Sequence, residues 1–227
     1  MKKLNLLFVC CILFAASGFS QSKPYWTTGG EMIFSFASIT DNGSNPNSTM
    51  RWAPVINIQS MLNKDVSSKF GLFTGLAVRN VGYIYDGYTD PSTEYVYKKK
   101  FRSYNLAVPV GVKIGNLNGM FIYGGYEVEL PFLYKEKTFD AAGTKINKMT
   151  GWFSDREELF QHGPMVGIQF PYGVNVKFKY YLSEFHNQNF VDTNGSKPYA
   201  GLKSNIFYFS LSYYLFKNFD MNSDYEK

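Results

Sequence analysis

The sequence predicts an all-β fold, an eight-stranded antiparallel up-and-down transmembrane β-barrel, and three observations predict it. The first is alternation: in Leu106-Ala107-Val108-Pro109-Val110-Gly111-Val112-Lys113-Ile114-Gly115 every even position is a branched apolar residue and every odd one is small, Pro or charged. Successive strand side chains point to opposite faces, so this segment has one greasy face and one of Ala, Gly, Pro and Lys. The second is recurrence of that pattern along the chain, with connections that alternate long and short. The third is that no helix-length apolar run follows the first residues. Closed barrels are then the way for a backbone to satisfy its hydrogen bonds in lipid.

The N-terminus is expected to be a leader rather than a strand. Lys2 and Lys3 precede an apolar run from Leu4 to Ala16, and Gly18-Phe19-Ser20 offers small residues where a signal peptidase reads. The run is about 13 residues, short of the ~20 a spanning helix needs. Residues 1–20 are thus predicted to be a cleaved signal peptide, 21–217 the barrel and 218–227 a polar periplasmic tail. Cys10 and Cys11 both fall in the leader, where branched Val9 and the continuing run Ile12 to Ala16 do not suit a lipoprotein acceptor. No thiol then remains for a disulfide or a thiolate metal site. Without Lys2 and Lys3 the formal balance drops from +5 to 21 basic against 18 acidic residues, +3, and the basic residues are scattered. That pattern does not point to nucleic acid. The 19 % aromatic content and 20 Gly suit interface girdles and a crowded lumen.

Strand one is expected at Thr28 to Ile39, with Met32, Phe34 and Phe36 opposite Glu31, Ser35 and Ala37. After a polar loop, Asp41 to Thr49, strand two covers Arg51 to Leu62, with Trp52, Ile56 and Ile58 opposite Asn57 and Gln59. Asn63 to Lys69 turns the chain into strand three, Phe70 to Tyr85, where Leu72, Leu76 and Val78 oppose Phe73, Gly75, Ala77 and Arg79. A loop over Asp86 to Lys100 leads to strand four, Phe101 to Gly115, and the tight Asn116-Leu117-Asn118-Gly119 turn follows. Strand five carries Ile122, Tyr126, Val128, Leu130, Phe132 and Tyr134 opposite Tyr123, Gly125, Glu127 and Glu129.

A third loop spans Lys135 to Glu158; within it Ser154-Asp155-Arg156-Glu157 has capping-box spacing, which would open a helical turn before Leu159. Strand six, Leu159 to Phe170, and the Pro171-Tyr172-Gly173 turn precede strand seven, Val174 to Ser183. The polar loop Glu184 to Lys203 leads to strand eight, Asn205 to Phe216, alternating Phe207, Phe209, Leu211, Tyr213 and Leu215 with Tyr208, Ser210, Ser212 and Tyr214. Long connections are expected outside the cell and short turns in the periplasm. Pro54, Pro109 and Pro164 lie inside proposed strands and lack a ladder donor, so bulges are expected there.

If the apolar face meets lipid, the other face fills the lumen with a polar cluster of Arg79, Lys113, Glu127, Glu129, Lys177 and Lys179. An eight-stranded interior is only wide enough for side chains, so these charges are expected to pair across it, Arg79 with Glu127 and Glu129 near mid-height. Trp26, Trp52, Tyr104 and Tyr213 are expected as membrane-interface aromatics. Tyr88, Tyr95 and Tyr97 beside Lys98-Lys99-Lys100, and Trp152-Phe153 with Lys145 and Lys148, mark the loops as sugar- or partner-binding, or as neutralising lipid phosphates. Catalytic, cofactor and metal residues are not expected: His162 and His186 form no metal-binding pair, and no nucleophile elbow or phosphate loop is present. The soluble rival is a lipocalin-like barrel with its apolar face inward. The Gly-, Ala- and Ser-rich second face argues against it.

The chain resembles the small eight-stranded bacterial outer-membrane barrels of the OmpA transmembrane-domain and OmpX type. The resemblance runs from Thr28 to Phe216 and rests on the leader, the strand dyads, the loop alternation and the aromatic last strand; Lys217 to Lys227 departs from it as a polar tail. It implies outer-membrane lipid and lipopolysaccharide as surroundings, with an outer-membrane protein complex as a further partner. The role it implies is non-catalytic: structure, adhesion or complex assembly, with a narrow pore as the alternative. Some barrels of this kind are rim enzymes acting on lipid A or peptides, which draws attention to His162 near Ser154 and Asp155.

Overall fold

The computed structural model describes residues 23–90 and 94–217. The predicted leader with Cys10 and Cys11, and the predicted tail 218–227, lie outside the described residues. The strands are β1 (Tyr25–Asp41), β2 (Ser48–Thr49), β3 (Arg51–Ala53), β4 (Ile58–Asp65), β5 (Phe70–Thr89), β6 (Val96–Gly115), β7 (Phe121–Phe139), β8 (Lys145–Trp152), β9 (Gln161–Gln169), β10 (Val174–Tyr180) and β11 (Leu202–Lys217). Every pairing is antiparallel, and β11 returns to β1 over Thr27↔Lys217 to Asp41↔Leu202. The ring therefore closes with eight staves, the second made of β3 and β4 in succession. Closure removes the sheet edge and leaves every ladder group between the rims a partner.

The polarity is inverted relative to a water-soluble protein. Arg79, Lys113, Glu127, Glu129, Lys177 and Lys179 are buried in the lumen, while Leu76, Val110, Ile114, Ile122, Val166 and Phe209 are more than a third exposed on the outer wall. This excludes the lipocalin-like arrangement, whose apolar face would point inward. Along β6, ten residues separate Ile114 from Tyr104; at about 3.3 Å per residue and a tilt near 40° they span roughly 25 Å, the height of a lipid-facing band.

The structure departs from the predicted elements for local reasons. Strand two is broken at Pro54, and residues 54–57 leave the ladder with Ile56 at φ +62°. Asn57 closes the gap: the Asn80 N–H donates to its Oδ1 at 2.6 Å and the Glu31 N–H to its carbonyl at 3.0 Å. The bulges expected at Pro109 and Pro164 do not form. Pro109 sits in an in-register gap of the β5–β6 ladder, between Thr74↔Val110 and Ala77↔Ala107, and Pro164 lies just past the end of the β9–β10 ladder. The bulge of the β6–β7 pair falls instead at Phe132, next to Pro131, where Tyr104 and Asn105 face Leu133 and Pro131.

Two of the predicted loops are largely strand. β5 and β6 continue to Thr89 and back from Val96, and β7 and β8 form a hairpin that rises above β9 as a β-arm. The capping-box segment makes a turn, Glu157 N–H to Ser154 carbonyl at 3.3 Å, not a helix. The only helical element among the described residues is the 3₁₀ turn Pro171–Gly173, at the short-turn end.

Candidate functional site

The lumen is filled in two storeys above a cavity. At mid-height Arg79 on β5 is 1 % exposed and bridges β1 and β7: it pairs with Glu31, with Glu127 at 2.8 Å, and donates to Gln59 at 3.1 Å. Lys177 reaches Glu31 at 2.8 Å, and Lys179 reaches Glu127 at 2.6 Å and Glu129 at 2.5 Å. Three cations thus interleave with three carboxylates, a neutral chain across the barrel from β1 to β10. Its members are positioned by parity: all sit on the inward side of strands whose outward side must be apolar. Buried charges are tolerable only in such mutually satisfied sets.

Glu129 is met by Lys179, Tyr181 and Asn105, not by Arg79. Lys113 stands apart from the mid-height set, near the short-turn end, with Asp65 at 2.6 Å and the Tyr25 hydroxyl at 3.0 Å. Glu31 is the member that sequence reasoning left out of the cluster. Its place on the polar side of strand one was the available signal: the β1–β4 and β4–β5 registers bring it level with Arg79, and the β1–β11 closure brings it to Lys177.

Above the ions lies an aromatic plug. The Tyr181 hydroxyl donates to Glu129 at 2.7 Å and ties the two storeys together. Segment 181–201 folds into the mouth instead of arching over it, placing Phe185 and His186 among Tyr83, Phe101, Tyr134 and Tyr199. The His186 ring stacks on Tyr199 at 4.3 Å, and its Nε2 shares a hydrogen bond of 2.9 Å with the Tyr83 hydroxyl. Burial pushes the His186 imidazole down to about 3, so it is neutral at physiological pH. Its backbone neighbour Glu157, equally buried, is pushed up to about 8 by the same loss of solvent.

Below the ions is a cavity of about 340 Å³ facing the short-turn end, with Arg79 and Lys177 in its lining. Its wall mixes Met61, Phe73, Tyr123 and Met165 with Gln59, Asn63 and Gln169. Gly111 and Gly167 make room for two of its rings: a Cβ at Gly111 would lie 2.5 Å from the Phe73 ring, and one at Gly167 would lie 2.4 Å from that of Tyr123.

On the outer wall Trp26 and Tyr213 lie toward the short-turn end, where Trp26 pairs with Leu62 and Tyr213 with Gly30. Trp52 pairs with Phe34, higher up the wall, and Tyr104 with Leu133. Trp52 and Tyr213 are more than half exposed; Tyr104 is covered by its neighbours, Lys135 lying 5.0 Å from its ring. His162 is on the lipid side and shares a hydrogen bond of 2.5 Å with the Tyr126 hydroxyl, while its N–H donates to Ser183 Oγ at 3.0 Å.

No family model matches the chain, and no curated protein matches it. Among solved structures, the attachment invasion locus protein Ail of Yersinia pestis, in complex with the heparin analogue sucrose octasulfate, is 10 % identical. That likeness covers 84 % of this chain and 99 % of the other at a TM-score of 0.39. Neisserial surface protein A is 10 % identical over 85 % of this chain and 99 % of its own, with a TM-score of 0.38. The outer membrane protein OprG of Pseudomonas aeruginosa is 12 % identical over 87 % and 98 %, with a TM-score of 0.34. The closed ladder and its inverted polarity, rather than these likenesses, make the chain a membrane-spanning β-barrel.

Proposed function

We propose that the protein is a closed, non-catalytic barrel that works through its outer wall and its β-arm, as a structural, adhesion or complex-assembly component, and not by passing solutes. The observation that carries this reading is the continuous fill of the lumen, from the Arg79 ion chain through Tyr181 to the His186 and Tyr199 stack. An eight-stranded interior leaves no room for a solute path beside such a fill. The β-arm, standing above the rest of the wall, supports a role in contacts outside the cell. The arrangement of the histidines supports a non-catalytic reading: His162 meets a tyrosine on the lipid side, and His186 is packed among aromatic rings.

The test is conductance in planar bilayers of protein that resists SDS when unheated and shifts mobility on boiling. Wild type is expected to give no steady current. A large, steady current unchanged by substitutions at Arg79, Glu127 or Glu129 would put a pore in first place. The cavity favours a second reading, uptake of a small periplasmic solute as far as the ion chain. That reading requires transient currents once Arg79→Ala joins the cavity to the space above.

A further inference from the structure

Above the aromatic girdle, the outer face of the β-arm turns from apolar to cationic in register. Tyr104, Leu133 and Trp152 form one rung across β6, β7 and β8. The next rung up is Arg102, Lys135 and Thr150, and the one above it sets three lysines side by side, Lys100, Lys137 and Lys148. Lys145 follows, opposite Phe139. None of these six cations makes a salt bridge among the described residues. The nearby Glu136 lies on the other side of β7, buried and paired with Lys99.

Like charges directly opposed across strands destabilise a sheet. The strain shows at Lys137, whose ammonium is pushed down from the ordinary lysine value by desolvation and by Arg102, Lys145, Lys148 and Lys100. Aromatic rings hold part of the patch against the wall: Lys135 lies 5.0 Å from the Tyr104 ring and Lys100 lies 4.8 Å from that of Phe139. The height of the patch names the counterion. Rungs two residues apart rise about 5 Å each along a tilted strand, which puts the cations roughly 5 and 10 Å above the hydrocarbon edge, at and just above the headgroup layer.

We propose that this face of the β-arm docks the phosphate groups of a phosphorylated glycolipid in the outer leaflet, one phosphate lying across Lys100, Lys137 and Lys148. The assignment rests on the membrane-spanning reading of the wall and is independent of whether the lumen conducts. It makes the arm a lipid-clamping surface whose cationic rungs are stabilised only when the lipid is present.

The test compares the refolded protein in phosphatidylcholine vesicles with and without a bisphosphorylated glycolipid. The variants are Lys100→Gln/Lys137→Gln/Lys148→Gln and, as a control elsewhere on the surface, Lys69→Gln/Lys197→Gln/Lys203→Gln. Heat-dependent mobility first confirms insertion of each. Wild type is expected to retain the glycolipid through extraction in mild detergent, and the ladder variant to bind it roughly a hundredfold more weakly, about fivefold per lysine. In plain phosphatidylcholine the ladder variant is expected to unfold at higher urea than wild type, because the self-repulsion is gone; with glycolipid the order reverses. The control variant should follow wild type throughout. If the triple variant does not insert, Lys137→Gln alone carries both readouts with about a fivefold loss. Equal retention by wild type and ladder variant, or an unchanged urea order in the two membranes, overturns the proposal. So does tight binding of a soluble sulfated polysaccharide without retention of the glycolipid, which would reassign the patch to a soluble polyanion.

Discussion

Replacing Arg79 by Met tests whether the lumen is an ion chain or a loose set of charges. The substitution keeps an unbranched chain of similar reach but removes the pairings to Glu31 and Glu127 and the hydrogen bond to Gln59. Two cations, Lys177 and Lys179, are then left with three carboxylates, Glu31, Glu127 and Glu129. An uncompensated buried charge costs about 3–5 kcal/mol, and the cavity directly below admits water, which places the expected loss near the lower end, about 3 kcal/mol. Adding Glu127→Gln restores balance, two cations facing two carboxylates. The double variant is therefore expected to be less destabilised than the sum of the two single ones by at least about 1 kcal/mol. Urea unfolding in vesicles, followed by the mobility difference between folded and boiled protein, measures all four corners of the cycle. Additivity within about 0.5 kcal/mol, or a loss under about 1 kcal/mol for Arg79→Met, would refute the reasoning.

The docked segment 181–201 should respond to pH on both sides. Glu157 moves from an ordinary 4.5 up to about 8, so the folded form keeps a proton that the unfolded form releases, and stability falls as pH rises from 4.5 to 8. His186 moves from 6.5 down to about 3, with Glu136, Lys99 and Arg156 around it, so stability falls as pH drops from 6.5 to 3. The opposing slopes cancel between 4.5 and 6.5, where protection of the Phe185 to Asn187 amides against hydrogen exchange, corrected for intrinsic rates, should be highest; Glu157→Gln should abolish the alkaline limb and leave the acid one. Gly111→Val drives a side chain into the Phe73 ring and should cost about 1–3 kcal/mol in the same urea assay. Val110→Lys puts a charge on the lipid face and should lower insertion stability by roughly 2–4 kcal/mol, whereas Gln169→Lys, facing the cavity, should be much milder. With Cys10 and Cys11 removed, a cysteine at Leu76 should react with a lipid-soluble probe and one at Ala77 should not, since their exposures are 56 % and 3 %.

What was legible in the sequence tracks where lipid imposes a rule. Between the girdles one face must be apolar, so the alternation of Leu106 to Ile114 or Val174 to Phe178 announces strand, face and register together. Above the bilayer that constraint lapses. Lys98 to Lys100 and Lys145 to Trp152 pair as strands with both faces polar or mixed, and periodicity had nothing to detect. Glu31 meets Lys177 only through closure of first strand on last, a contact that no local window contains. The inward fold of 181–201 likewise depends on Phe185 and His186 finding rings from β5, β6 and β7, so its polar composition suggested an exposed loop. Prolines misled for a related reason: a missing donor demands a gap in one ladder, which Pro109 obtains without a shift of register.

The extra residue at Phe132 decides what the arm presents on its outer face. Because side chains along a strand repeat every second position, that residue transfers the outward side of β7 from even numbers below it, such as Val128, to odd numbers above it, such as Lys135 and Lys137. Paired without that bulge, the same sequence would turn those lysines toward the interior and bring Tyr134 and Glu136 out in their place. The sign of the arm's charge is thus encoded as a parity, in one inserted position beside Pro131. Loss of the two-against-one pairing there would reverse polarity along the whole upper strand, whereas a length change in the 140–144 turn merely shortens a tip.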